Sequence, residues 1–106
     1  MYKAYVEELT DDIVLETERG FLSYQIQSDH IYMKDIYIAP EFRKTHEASR
    51  MVDQIVVIAR GLGIKKLLGS IKPSNKTATM SMKAHLAYGF VLDSCVNDFI
   101  LLRKDV

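Results

Sequence analysis

Residues His30 to Gly63 read HIYMKDIYIAPEFRKTHEASRMVDQIVVIARGLG, and this stretch decides the fold. Residues 32–38 are β-branched and aromatic, which predicts a strand. Pro40 ends it, because proline cannot donate to a ladder. Residues 42–49 are polar and turn the chain into a helix. Ala48, Met51, Val52, Ile55, Ala59 and Leu62 then recur at helical spacing and predict one apolar face. Gly61 and Gly63 supply the stop. A strand that feeds a helix through a short polar loop leaves unpaired backbone N–H groups at the helix start. Such an end suits a phosphate or another anion.

The rest of the composition bounds the answer. The 106 residues suit one small domain, residues 1–106. Lys+Arg and Asp+Glu both number 14, so bulk charge gives no pull toward nucleic acid and no nucleic-acid partner is expected. Arg43-Lys44 and Lys65-Lys66 with Lys72 and Lys76 are local clusters of the kind found on solvated faces. The single cysteine, Cys95, allows no internal disulfide and fits a reducing, cytoplasmic setting. The first residues lack the apolar run of a signal peptide, and no segment nears the ~20 apolar residues of a membrane span.

Taken in order, residues 1–12 read either as a strand, from the alternation of Tyr2, Ala4 and Val6, or as a short helix. Residues 13–17 and 21–27 predict two strands around a turn at Glu18-Arg19-Gly20, and Ser28-Asp29 turns into the opening strand. After the long helix, residues 64–71 predict a strand parallel to 32–38, with a right-handed crossover. Residues 77–88 predict a second helix, with Ala78, Met82 and Leu86 or His85 inside, and Met80 and Met82 as core filling. Residues 90–92 and 99–103 close the chain as a hairpin around 94–98, with Cys95 in the loop. The order is β-β-β-α-β-α-β-β, an α/β chain with a mixed (α+β) sheet.

Two local patterns in this order resemble the GNAT superfamily of N-acetyltransferases. One is Ile36-Tyr37-Ile38-Ala39-Pro40-Glu41-Phe42-Arg43-Lys44-Thr45-His46-Glu47-Ala48, similar to the family's strand, proline and Arg/Gln-x-x-Gly-x-Gly/Ala loop opening the long helix. The other is Asn75, a short helix and Gly89-Phe90. The resemblance runs from about residue 13 to the C-terminus. It looks most like small phage- or prophage-type members with a reduced N-terminal region.

The resemblance implies acetyl-CoA as co-substrate and direct transfer of acetyl to an amine, without a metal. Lys44, Thr45, His46, Glu47, Ala48 and Ser49 would cradle the pyrophosphate, with Arg43 at the first motif position and Asn75 as the family's asparagine. Ile36, Tyr37 and Ile38 would pair with the pantetheine arm and polarise the thioester carbonyl. The position of the family's proton-donating tyrosine holds His85, a residue suited to general acid work near neutral pH. Asp35, beside the presumed thioester, is the candidate base. The first loop glycine of the family is His46 here, which demands a different backbone state or crowds the phosphate. Gly69 and Ser70 stand where some branches carry an acid. The histidines and Cys95 have no metal-ligand spacing.

On these residues the chain reads as an N-acetyltransferase whose acceptor is a small-molecule amine or a protein lysine or N-terminus. The rival is a GNAT-fold module, weak or inactive in catalysis, acting through coenzyme A binding or a protein partner. His46, the absent acid and the reduced acceptor wall favour the rival. A sheet lacking its usual first elements also exposes an edge or apolar patch, which predicts a homodimer.

Overall fold

A computed structural model describes residues 2–106; the side chains of Tyr2 and Val6, part of the alternation read at the N-terminus, lie outside what it describes. The ambiguous first segment is a helix, α1 (Tyr2–Leu9). It is followed by β1 (Ile13–Thr17), β2 (Gly20–Ile26) and β3 (Ile31–Ile38), then a short 3₁₀ turn at Pro40–Phe42. The long helix α2 (Glu47–Gly61), β4 (Lys66–Ile71), α3 (Ala78–Ala87) and the hairpin β5 (Val91–Val96) and β6 (Phe99–Asp105) complete the chain. Among the described residues no helix is long and apolar enough to cross a membrane.

The six strands form one sheet in the order β1-β2-β3-β4-β6-β5. β1, β2 and β3 are an antiparallel meander. The crossover through α2 sets β4 parallel to β3, as the strand-helix-strand pattern predicts. β6 then inserts between β4 and β5, antiparallel to both. One face of the sheet carries the main core. Leu22, Tyr24, Ile31, Met33, Leu67 and Leu102 meet Met51, Val52, Ile55 and Ala59 of α2, and Phe90 closes the layer. On the opposite face α1 covers β1: Lys3 Nζ donates to the Val14 carbonyl (3.0 Å), and the Val14 amide donates to the Glu7 carboxylate (3.2 Å).

Several local expectations change. Residues 47–49 are the first turn of α2 rather than loop. Gly61 lies inside the helix, Leu62 caps it, and Gly63, at φ 74°, takes the left-handed stop. Leu62 is exposed rather than on the buried stripe, as is Val57, because the buried face of α2 is narrower than its apolar pattern. In α3, His85 rather than Leu86 turns inward, and Met80 is exposed while Met82 packs on the core. β5 extends through Cys95 to Val96, so the predicted loop at 94–98 shrinks to a turn in which Asn97 has φ 54°.

Two features of β3, a bulge and an early end to its pairing with β4, open the sheet. Ser23 pairs with Asp35 while Tyr24 pairs with Met33, so Lys34 has no opposite residue and forms a β-bulge. The buried Ser23 hydroxyl accepts the Asp35 amide of the bulge (3.2 Å). Beyond it, β3 and β4 part: their parallel pairing runs only from Ile31↔Leu67 to Met33↔Gly69. A bulge adds twist and bends its strand, which accounts for the parting at this point. Lys34 itself anchors the sheet through Asp12, which is 6% exposed and accepts from Lys34 Nζ (3.2 Å) and Gln25 Nε2 (2.6 Å).

Burial pushes the Asp12 carboxyl up, but the hydrogen bonds from Gln25 and Lys34 and the Lys34 charge outweigh it and hold the group below its ordinary value. A depressed folded-state pKa contributes stability that is present above the unfolded value and lost as pH falls through the folded one. The urea midpoint is therefore expected to drop as pH falls below about 4. Asp12→Asn should lower stability at neutral pH and flatten that acid limb; an unchanged limb in the variant would contradict the assignment.

Candidate active site

The loop between β3 and α2 is held in an unusual backbone state. Lys44 and His46 both have φ 64°, a left-handed conformation that costs an ordinary L-residue roughly 1–2 kcal/mol. His46 is the N-cap of α2 and makes no side-chain capping bond, so the cap leaves the first-turn amides without a side-chain acceptor from that position. Arg43 folds back on the strand: its Nε donates to the Ile38 carbonyl (3.0 Å) and its guanidinium lies 5.7 Å over the Tyr37 ring. The Thr45 hydroxyl donates to the Phe42 carbonyl and closes the turn.

Glu47 is the one acid in the first turn of α2. Arg19 (3.3 Å) and Arg50 (3.2 Å) both pair with its carboxylate, and Arg19 also lies 5.0 Å over the Phe42 ring. Two cations around one carboxylate, with Arg43 and Lys44 nearby, leave this helix end positive, in the same sense as the helix dipole.

A groove of about 700 Å³ opens from this loop. Its walls are Ile36, Tyr37 and Ile38 of β3; Arg43, Lys44, His46, Glu47, Ala48 and Ser49; and Thr77, Ser81, Ala84, His85 and Tyr88 of and beside α3. Ten of the thirteen candidate residues line it. Thr45 does not, because its side chain is turned into the Phe42 bond. Asn75 and Asp35 lie instead on a second, smaller pocket of about 260 Å³. The Asn75 carboxamide oxygen accepts from the Thr77 amide (3.2 Å) and hydroxyl (3.1 Å), which fixes the turn into α3. The two pockets share Ile36, Thr77, Ser81 and His85, so they meet where β3 leaves β4.

His85 stands at that junction. Its Nδ1 lies 2.7 Å from the Ser81 carbonyl. A carbonyl only accepts, so Nδ1 carries the proton. The neutral ring therefore offers the Nε2 lone pair, and the imidazolium offers an Nε2–H. The ring packs edge-on against Phe90 (5.2 Å between centroids). Gly69 of β4 leaves it room: a β-carbon there would lie 2.8 Å from Nε2. Glycine at this position is thus a seat for the histidine. Tyr88 is half-buried against the core, its hydroxyl pushed up in pKa by burial, and its carbonyl accepts from Lys104 (2.8 Å). Sequence reasoning did not find Arg19, Arg50 or Ser81; Arg19 and Glu47 are 28 residues apart, and only the meander brings them together.

The site thus brings together a positive helix end, a strand edge unpaired on one side and a histidine at the meeting of two pockets. The chain belongs to the acetyltransferase (GNAT) family, whose model matches residues 11–90. It is similar in structure to the PaiA N-acetyltransferase of Thermoplasma acidophilum in complex with coenzyme A, at TM-score 0.76 and 14% identity over 94% of this chain and 64% of that one. A GNAT family acetyltransferase from Elizabethkingia anophelis with acetyl-CoA bound aligns at TM-score 0.73 and 15% identity, over 98% and 83%. The anti-CRISPR protein AcrVA5 aligns at TM-score 0.74 and 16% identity, over 90% and 99%. At these identities the likeness is one of fold. A comparison with curated proteins finds no match.

The strain in the loop is open to direct test. His46→Gly removes the left-handed penalty and adds chain entropy to the unfolded state, and the two nearly offset. The variant should be as stable as the parent or up to about 1 kcal/mol more so, by urea unfolding. His46→Val, β-branched at the same φ, should lose about 1–2 kcal/mol. Equal stability of the two variants would contradict the left-handed assignment.

Proposed function

We propose that the protein is an acetyl-CoA-dependent N-acetyltransferase that transfers acetyl directly to an amine. The observation that carries this reading is the parting of β3 from β4, which joins the large groove to the small pocket beside His85. Family membership supports the donor, and so does the fold shared with proteins that hold coenzyme A or acetyl-CoA.

In this mechanism the amides of the α2 first turn, with Arg43 and Lys44, take the pyrophosphate. The unpaired edge of Ile36, Tyr37 and Ile38 takes the pantetheine arm as an added strand, and an amide of that edge polarises the thioester carbonyl. The acceptor amine, as free base, attacks the carbonyl carbon. The C–S bond breaks as the N–C bond is kept. The nitrogen's surplus proton leaves to Asp35, directly or through water, and the thiolate takes a proton from the His85 imidazolium Nε2. Ser81, by accepting from Nδ1, fixes the ring and leaves Nε2 as the nitrogen that donates. Asn75 acts one step back, by shaping the turn that presents α3.

A second reading is favoured by His46 and by the similarity to AcrVA5: a module that binds coenzyme A and works through a protein partner. Calorimetry with acetyl-CoA should show one site per chain, and thiol release should follow on adding an amine acceptor. His85→Gln should lower kcat about 100-fold with donor binding retained. Donor binding without thiol release across amines and lysine peptides would favour the module; no binding at millimolar acetyl-CoA would remove the first reading.

We propose in addition that the protein forms a homodimer. Val91, Leu92, Val96 and Phe99 are exposed on the edge hairpin, and exposed edges of this kind are usually covered. Light scattering should give twice the chain mass at micromolar concentration; a clean monomer would overturn this.

A further inference from the structure

We infer that the smaller pocket takes an acceptor of amino-acid size that carries a primary amine and an anionic group on the same molecule. The inference rests on the acetyltransferase reading and narrows it.

The pocket lies between the two strands that part. Asp35 contributes one wall from β3, just past the bulge, and Lys72 the other, just past the end of β4. Asp35 pairs in register with Ser23 and so belongs to the sheet face away from the α2 core. The donor groove lies on the α2 and α3 side, and this pocket adjoins it, sharing Ile36, Thr77, Ser81 and His85. An acceptor seated there meets the donor at the gap beside Ile36 and His85.

The charges in the pocket are sorted. Lys34 is committed to Asp12 (3.2 Å). Neither the Asp35 carboxylate nor the Lys72 ammonium has a hydrogen-bond or ion-pair partner among the described residues. Ser70 is held by Tyr32 and Thr77 by Asn75. The pocket therefore presents one unmatched carboxylate and one unmatched ammonium on opposite walls. A molecule with a cationic amine and an anion satisfies both at once. A lysine side chain from a protein satisfies only Asp35 and leaves Lys72 facing its backbone. The volume, about 260 Å³, lies below the range common for drug-sized ligands and matches a small metabolite.

Bound this way, the ammonium gives one proton to Asp35, which passes it to water, and becomes the free base. That amine attacks the thioester carbonyl, the N–C bond forms and the C–S bond breaks; Asp35 then takes the nitrogen's surplus proton and the His85 imidazolium protonates the thiolate. The products are the N-acetylated acid, coenzyme A as thiol and one released proton, so no further reactant enters. Lys72 holds the anionic end away from the reacting centre and acts as a specificity residue.

The test is thiol release from acetyl-CoA with ω-amino acids from glycine to aminohexanoate, each beside its own methyl ester, and with an end-blocked lysine peptide. At least one amino acid should exceed its ester in kcat/KM by about fivefold or more, the size expected of a partly exposed ion pair. Lys72→Glu should invert that ratio, and circular dichroism should show the variant folded. Equal use of acid and ester, an unchanged ratio in Lys72→Glu, or preference for the peptide would overturn the inference while leaving the acetyltransferase standing. Donor binding with no thiol release from any amine overturns it too. Absence of donor binding in calorimetry instead removes the reading on which it rests.

Discussion

The site depends on two strands ceasing to pair. β3 and β4 hold together for three residue pairs and then separate at Met33 and Gly69. The cause is local. An extra residue, Lys34, bulges β3, and Ser23 on the neighbouring strand satisfies the displaced Asp35 amide. Separation has a cost, because it leaves the later part of β3 without a partner on one side. The main core under Ile31, Met33 and Leu67 holds the strands up to the point of parting. Past that point Ile36, Tyr37 and Ile38 form an open edge, available to a ligand that brings its own hydrogen-bonding groups.

The rest of the site is arranged around that edge. The 3₁₀ turn and the two left-handed residues, Lys44 and His46, carry the chain into α2 without a side-chain cap. Strain of this kind persists where the surroundings fix it, and it gathers at ligand sites. Glu47 would oppose an anion at this helix end, but Arg19 and Arg50 are paired with it. Across the groove, Gly69 gives His85 its seat and Ser81 fixes which nitrogen holds the proton. The larger groove is thus lined at its α2 end by backbone and cations. The smaller pocket carries opposite charges on opposite walls.

Much of this was legible in the sequence. The strand, polar loop and amphipathic helix of residues 30–63 follow from periodicity, and the crossover from chain order. Nine of the candidate site residues line one groove because loop and strand are contiguous there, and His85 reaches it from α3. Other features depend on distant partners and leave no local trace. The bulge at Lys34 looks like ordinary alternation until the register with β2 is known. β6 inserts between β4 and β5 because of strand pairing that chain order alone does not fix. Leu62, Met80 and Leu86 fit a helical pattern yet are exposed, since the sheet covers a narrower stripe than the apolar residues occupy. Asn75 and Asp35 fall on the smaller pocket because β3 and β4 have already parted when the chain reaches them.

The central claim is that the open edge of β3 and the first turn of α2 together hold the acetyl donor. Backbone amide exchange with and without acetyl-CoA reports on both at residue resolution. Protection is expected in residues 36–38 and 44–50, with the pairing of β1 and β2 unaffected. Protection confined to other parts of the sheet, or none at saturating donor, would contradict the account.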